Sequence, residues 1–401
     1  MNVLSVNIGS SSLKFALYPV LPGGHVAGAR LLGVVEGLEP GGRLQVRVDG
    51  PRGVLRPVLS VSKGDHALHR ALLALPAWLA ESLDHGPTDF ALAAVAHRIV
   101  HGGESFAEPV VLDGARLQTL EMLAALAPLH QPFNLSGVRA CMEAFPGVPQ
   151  VGCFDTAFHQ SLGPLETGFA LPQGLREQGV RRYGFHGLSY AHMARQLPEL
   201  SVRARGRVLM AHLGNGASLC AMLEGRSVST TMGFSTLDGL IMGSRSGTID
   251  PGVLLYLLQQ GWDEPRLTHL LYRQSGLLGV SGESADMRAL RRSTSASARH
   301  AIDLFVHRIH REGGAMMTLM KGVDAVVFTG GIGQHDPRSR AEIADGWRIW
   351  GVALDASANQ IVDGTSAARI EAPGSAVEVW VVPADEGREA AQQAASLLKM
   401  N

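Results

Sequence analysis

Apolar runs that stop at small polar residues recur along this chain and set out its elements. Residues 3–6 form such a run, ending in Asn7-Ile8-Gly9-Ser10-Ser11-Ser12, and residues 13–18 resume an apolar, β-prone pattern. Strand, Gly/Ser turn and strand make a hairpin. Further strands are expected at 44–48 and 54–61. Residues 65–83 carry Leu68, Leu72, Leu75, Leu79 and Leu83 at helical spacing. Residues 90–100 read as a buried strand running into His101-Gly102-Gly103. Residues 117–126 and 135–145 read as helices, and 151–154 as a strand ending at Asp155. The second half repeats the theme. A strand at 207–213 ends in Gly214-Asn215-Gly216-Ala217-Ser218 and returns over 219–223, the plan of the first hairpin without a sequence repeat. Residues 285–321 are expected to be largely helical. Residues 324–328 read as a strand ending in the turn Thr329-Gly330-Gly331-Ile332-Gly333, 377–382 as the last strand and 386–399 as the last helix. Residues 161–180, rich in Gly and Pro, look like an ordered surface excursion.

Strands mixed with helices throughout predict an α/β chain. At 401 residues it is too long for one ordinary core, so two domains are expected. A hydrophobic fraction of 46% with 18% charged residues suits sizeable cores. The formal net charge of −1 gives no basic excess for nucleic acid. No apolar window approaches the ~20 residues that span a bilayer, and the N-terminus lacks a signal-peptide pattern. Cys141, Cys153 and Cys220 lack metal or disulfide spacing. They read as buried thiols in a reducing compartment, and a cytoplasmic location is expected.

Three Gly-rich turns follow apolar strands. Small residues let backbone N–H groups close on phosphate oxygens. One such turn is ordinarily structural; three, two of them hairpins in separate halves, point to a phosphate ligand. None has the GxxxxGK(S/T) spacing of a P-loop, nor is any a GxGxxG between strand and helix. Polar residues gather at other turns: Arg98 after His97, His130 in Pro128-Leu129-His130-Gln131-Pro132, Asp155 at a strand end, His186 in Tyr183-Gly184-Phe185-His186-Gly187, and Arg245 between Gly243 and Gly247. Phosphoryl transfer needs this inventory: cations over the transferring group, an acid for magnesium and oriented donors. Plainer alternatives stand beside each. An arginine is usually solvated or ion-paired, His186 suits a hydrogen-bonded structural role, Asp155 a helix cap, and His130 the shaping of a turn. His97 and His101 read as structural.

Taken together, these segments resemble the acetate kinase family. The matching stretches are Ser5 to Lys14, His97-Arg98-Ile99-Val100-His101-Gly102-Gly103, Pro128-Leu129-His130, Phe154-Asp155-Thr156-Ala157-Phe158-His159 and Tyr183 to Gly187. They continue with His212 to Ser218, Met242-Gly243-Ser244-Arg245-Ser246-Gly247, Gly279-Val280-Ser281-Gly282, Phe328 to Gly333 and Asp385-Glu386, in the family's order. The resemblance implies the fold shared by actin, sugar kinases and heat-shock chaperone ATPases: two related α/β domains, residues 1–154 with 388–401 and residues 155–387, flanking a nucleotide cleft that holds the active site. It implies a homodimer that phosphorylates acetate reversibly with ATP, giving acetyl phosphate and ADP by direct in-line transfer, with magnesium or, in its place, manganese. Acetate and ATP are its partners; nucleic acid and membrane are not.

It also implies roles. Asp155, Arg98, Arg245, His186 and His130 would serve catalysis. Arg98, Val100, Leu129 and Phe185 would hold the acid. Asn7 and Glu386 would place the metal. The nucleotide side would take in Ser12, Lys14, His212, Leu213, Gly214, Asn215, Gly216, Asp286, Met287, Arg288, Gly330, Gly331, Ile332 and Gly333. The chain departs from the family at Gln334-His335, where Glu-Asn is usual, at Thr236, where proline is common, and around Asp385-Glu386, with Ala384 and Gly387. Competing readings are a propionate or butyrate kinase on the same scaffold and, much less favoured, a non-enzymatic actin-like ATP-binding protein.

Overall fold

The computed structural model describes residues 1–9, 11–39, 42–59, 66–83, 91–128 and 130–400. The chain forms two compact units, Met1–Ala157 with Asp385–Asn401, and Phe158–Ala384; the sequence reading divides it at 154 and 387.

In the first unit β1 (Asn2–Ile8) and β2 (Ser12–Pro19) form the expected antiparallel hairpin, with Asn7 opposite Lys14. β3 (Leu31–Glu36), β4 (Gln45–Gly50) and β5 (Gly53–Leu55) extend the meander. The strand expected at 54–61 is thus only three residues long. Pro57 has no N–H to continue a ladder, and residues 60–65 lie outside the described ones. Helix α1 (Ala67–Ser82) buries Leu72, Leu75 and Leu79, the stripe its leucine spacing predicts. β6 (Leu92–Ile99) runs parallel to β1, and β8 (Gln150–Phe154) parallel to β6. Between them come β7 (Val110–Val111), α2 (Gly114–Met122) and α3 (Gln131–Ala144). The sheet order is β5-β4-β3-β2-β1-β6-β8-β7.

The second unit begins with the short helices α4 (Pro164–Thr167) and α5 (Gln173–Glu177), then α6 (Gly187–Leu200). β9 (Arg207–Leu213) and β10 (Ala217–Leu223) form the second hairpin, and β11 (Arg226–Thr230) pairs with β10. Helices α7 (Pro251–Gln259), α8 (Glu264–Arg273), α9 (Gly276–Ser281), α10 (Met287–Arg292) and α11 (Ala296–Leu319) follow. Ser295 caps α11 through its side chain, so the helical stretch expected over 285–321 is two helices. β12 (Ala325–Thr329) is parallel to β9. Next are α12 (Gly330–His335), α13 (Pro337–Gly346), α14 (Ala356–Ile361), β13 (Ala368–Arg369) and β14 (Glu378–Val381), the last parallel to β12.

Gly330 to Gly333 are therefore the opening of a helix, which corrects the expected turn. The reason is topological. β12 lies between two parallel neighbours, and parallel strands are joined by crossovers, which tight turns cannot supply. The second sheet, β11-β10-β9-β12-β14-β13, repeats the β3-β2-β1-β6-β8 core of the first, three antiparallel strands followed by two parallel ones. The chain then returns to the first unit as α15 (Glu386–Leu397), whose Ala390, Ala391, Ala394 and Ala395 are buried. Among the described residues no helix is long and apolar enough to cross a membrane.

Candidate functional site

In the first unit β6 and β8 run side by side, with Arg98 beside Cys153 in register, and Asp155 follows the end of β8. The Asp155 side chain is taken up by Arg98 rather than by a helix N-terminus. Its buried carboxylate takes both arms of Arg98, from Nε at 3.0 Å to each oxygen and from Nη2 at 2.7 Å. Nη1 of the same guanidinium lies 3.1 Å from Glu386. Burial opposes the charge on Arg98, but the two carboxylates outweigh it and its pKa rises. Burial also pushes the Asp155 carboxyl up from its ordinary value, against the pull of Arg98, and Glu386 adds to the rise.

Glu386 is positioned by its neighbour Asp385 and, through it, by Tyr18. Asp385 caps α15, accepting from the Arg388 N–H at 2.9 Å. The hydroxyl of buried Tyr18 donates to the same Asp385 carboxylate at 2.8 Å. Gly387 is required by this contact, because a Cβ there would lie 2.6 Å from the Tyr18 oxygen. An Asp just before a helical run is a legible cap signal; Tyr18 carries none. Asn7 is half-buried at the end of β1, Lys14 opposite it is exposed, and Ser12 begins β2. His130 precedes the first turn of α3. Buried Val100 donates its N–H to Asn134 at 3.0 Å. Leu129 lies outside the described residues. His97 and His101 are buried, His97 on Gln150 at 2.8 Å and His101 Nδ1 accepting from the Gly103 N–H at 2.9 Å.

Among the described residues no three His, Cys, Asp or Glu side chains gather into a metal cage. The oxygen donors of Glu386 and Asn7 suit a hard cation that keeps waters and shares itself with phosphates, as magnesium does.

In the second unit the apolar strand β9 ends in the tight turn at Gly214, with its N–H on Gly216 O at 3.0 Å. Three groups converge on this turn. His186 precedes α6 with φ 60°, a left-handed conformation that costs a non-glycine residue about 1–3 kcal/mol. Its neighbours impose it. Tyr183 and Gly184 donate to the Gly233 carbonyl at 3.0 and 3.3 Å. Buried His159 donates from Nε2 to Phe185 O at 3.0 Å, with Nδ1 on Ser227 Oγ at 2.8 Å. A Cβ added to Gly216 would stand 3.2 Å from His186 Nε2 and 3.8 Å from Arg245 Nη2, so imidazole, guanidinium and turn share one corner. Arg245 is held by Nη1 donating to Thr236 O at 2.9 Å. That acceptor is a carbonyl, which a proline at 236 would supply equally. Gly243 lets its loop dock on the turn: its N–H donates to Asn215 O at 2.9 Å, and a Cβ there would lie 2.1 Å from Asn215 Oδ1.

Past the turn opens a cavity of about 510 Å³. Gly214, Asn215, Asp286, Met287, Arg288, Gly331 and Ile332 line it, together with Ala285, Asp336 and His335, the last one of the two residues at which the chain departs from the family's Glu-Asn. His212, Leu213, Gly216, Gly330 and Gly333 flank this wall, while Ser12 and Lys14 belong to the other unit. Asp286 caps α10 and pairs with Arg288 at 2.9 Å. The end of α12 is fastened by fully buried Arg340, which donates to the carbonyls of Gly333 and Gln334 at 2.9 and 2.8 Å and to Asn359 Oδ1 at 2.7 Å. Gln334 spans to Gly364 O at 3.0 Å and to the Ala384 N–H at 3.2 Å. Phe185 is buried. A backbone-rich turn beside a cation and a donor, opening on a cavity of this size, can bind a polyphosphate ester and offset its charge.

The acetokinase family model matches residues 2–392. The chain is 46% identical over 387 residues to an acetate kinase of Rhodopseudomonas palustris, covering 96% of this chain and 95% of that one. It is 44% identical over 403 residues to an acetate kinase of Leifsonia xyli subsp. xyli, covering 98% of each. Among solved structures it is similar to Porphyromonas gingivalis acetate kinase, with a TM-score of 0.86, 34% identity and 99% of each chain covered. A propionate kinase from Francisella tularensis gives a TM-score of 0.87 at 32% identity, with 98% of each chain covered. Two units built on one strand plan, the turn motifs at their strand ends and this nearly end-to-end similarity lead to one conclusion: the chain belongs to the acetokinase family.

Proposed function

We propose that this protein is an acetate kinase, moving the γ-phosphoryl group of ATP to acetate and, in reverse, from acetyl phosphate to ADP. The observation that carries the reading is the corner where His186 and Arg245 meet Gly216, on a turn whose next face lines a nucleotide-sized cavity. Acetate is already ionised at neutral pH, so the reaction needs no strong base. The obstacle is bringing one anion to another, and guanidinium groups lower it.

Each residue then has a task. The turn at Gly214–Gly216 and the start of α12 hold the phosphates through backbone N–H groups, and Asp286, Met287, Arg288 and Ile332 border the adenosine. Arg245 offsets charge on the transferring group and His186 donates a hydrogen bond to it. Arg98 binds the acetate carboxylate, Asp155 keeps that guanidinium oriented, and His130 supports the site. Val100, Leu129 and Phe185 wall the methyl group. Glu386 and Asn7 hold the divalent ion, magnesium or manganese, that accompanies the nucleotide; when bound, the ion neutralises phosphate charge. Transfer is direct, with no phosphorylated side chain. The protein works as a homodimer. α7 supports that, being apolar on all sides with Leu255 61% and Tyr256 57% exposed.

Propionate is the competing acceptor, favoured by the similarity to a propionate kinase and by Thr236 beside Arg245. One methylene in an apolar pocket is worth only about 1–3 kcal/mol. Acyl phosphate trapped with hydroxylamine, from magnesium-ATP with acetate, propionate or butyrate in parallel, separates the readings. Acetate should give the highest kcat/KM, and Arg245→Ala should lower kcat by about 10³-fold or more. A higher kcat/KM for propionate changes the acceptor, and no acyl phosphate from any acid overturns the function.

A further inference from the structure

Behind His186 lies a hydrogen-bond chain that the site residues named so far do not include. His186, Ser189 and Tyr190 stand one turn apart at the start of α6, and that turn faces the paired residues His212 and Ser218 of the β9–β10 hairpin. His186 Nδ1 is 2.9 Å from Ser218 Oγ, and Ser218 Oγ is 2.5 Å from the Tyr190 hydroxyl. Ser218 and Tyr190 are fully buried. The His212 ring stacks on His186 with centroids 4.3 Å apart and is pinned by Ser189 Oγ on its Nδ1 at 2.8 Å.

The chain has a direction. The buried Tyr190 hydroxyl hydrogen-bonds one side chain, Ser218, and its proton goes there. Burial keeps the phenol protonated, since it drives the Tyr190 pKa well above the ordinary value. Ser218, having accepted, turns its proton to His186 Nδ1. A neutral imidazole that accepts at Nδ1 carries its proton on Nε2. Nε2 is the atom beside Gly216 and Arg245. The opposite direction would leave the Tyr190 proton with no acceptor among these contacts.

We propose that Tyr190 and Ser218 form a buried relay that holds His186 as the Nε2–H tautomer, so that a neutral imidazole presents a donor to the transferring phosphoryl group. They are positioning residues; neither touches a substrate. The stacked His212 ring keeps the imidazole plane, and the relay sets which nitrogen bears the proton. The phosphoryl half of this inference rests on the role given to His186 above, and the tautomer half does not.

The test uses the intact protein labelled with ¹³C and ¹⁵N in its 16 histidines, with His186→Gln identifying the His186 signals. The parent should show His186 as Nε2–H. Ser218→Ala and Tyr190→Phe should each raise the Nδ1–H fraction and lower kcat about ten- to hundredfold, with KM for acetate and for ATP held within about twofold. Ser218→Thr, which keeps the hydroxyl, should restore both readouts. Tyr190→Phe removes one oxygen from a buried ring, and it carries the test if Ser218→Ala does not fold. A parent Nδ1–H tautomer, or a tautomer unmoved in both variants, overturns the relay. A His186→Gln enzyme with parental kcat removes the role of His186 itself, a separate failure, because the spectra read the relay without turnover.

Discussion

Arg98 shows how one side chain ties a catalytic reading to fold stability. Its planar fork meets Asp155 along one edge at 2.7 Å and reaches Glu386 with the remaining nitrogen at 3.1 Å. A lysine keeps the charge but offers no fork, so it satisfies one carboxylate at a time. Arg98→Lys should therefore lower kcat/KM for acetate at least hundredfold while KM for ATP changes little, as steady-state kinetics with each substrate varied will show. Activity within threefold of the parent would remove Arg98 from acetate binding. Arg98, Asp155, His186 and Arg245 were legible because each sits in a short motif, the first two at strand ends, His186 just before α6 and Arg245 in a loop between Gly243 and Gly247. Tyr18 and Tyr190 were not, because nothing local marks them, and Ser218, though it closes the Gly214 turn, carried no sign of its partners. Tyr18 matters only once α15 has come back to β2, and Ser218 with Tyr190 only once α6 lies over the second hairpin.

Elements rather than residues explain where the sequence reading fell short. The hairpins at both strand–turn–strand units were foreseeable from apolar runs broken by Gly, Ser and Asn, and both formed in register. The run at Gly330 looked like a third turn and is the start of α12, since only the parallel neighbours of β12 dictate a crossover there. α7 escaped notice because its residues before Gln259 are apolar without period. Such a helix is ordinarily buried, yet Val253, Leu255, Tyr256 and Leu258 are exposed. A second copy of the chain is the proposed cover. Leu255→Glu should shift the protein from dimer to monomer in sedimentation or light scattering. An unchanged dimer would place the interface elsewhere.

At the scale of the whole molecule, buried neutral histidines couple stability to pH in both units. Burial pushes His97, His101 and His159 down to about 4, from an ordinary value of 6.5. Between those values the unfolded chain binds protons that the native chain refuses. Stability is therefore full above pH 6.5 and falls as the pH drops toward 4, by about 2 kcal/mol per histidine at pH 5. Urea unfolding at pH 7.5 and pH 5 should show the loss, and His97→Gln should make it smaller. Equal stability at both pH values would contradict the burial of these rings as neutral groups. The family, the α/β class and the duplicated strand plan were determined by sequence alone, because turn motifs and apolar periodicity are local properties written in neighbouring residues. Only the tertiary structure decided that Asp155 and Glu386 share one guanidinium, that His186 is forced left-handed, and that Tyr190 reaches it through Ser218. Those contacts join residues 28 to 288 positions apart or depend on distant backbone, and bonds of that span exist only after the sheets have packed.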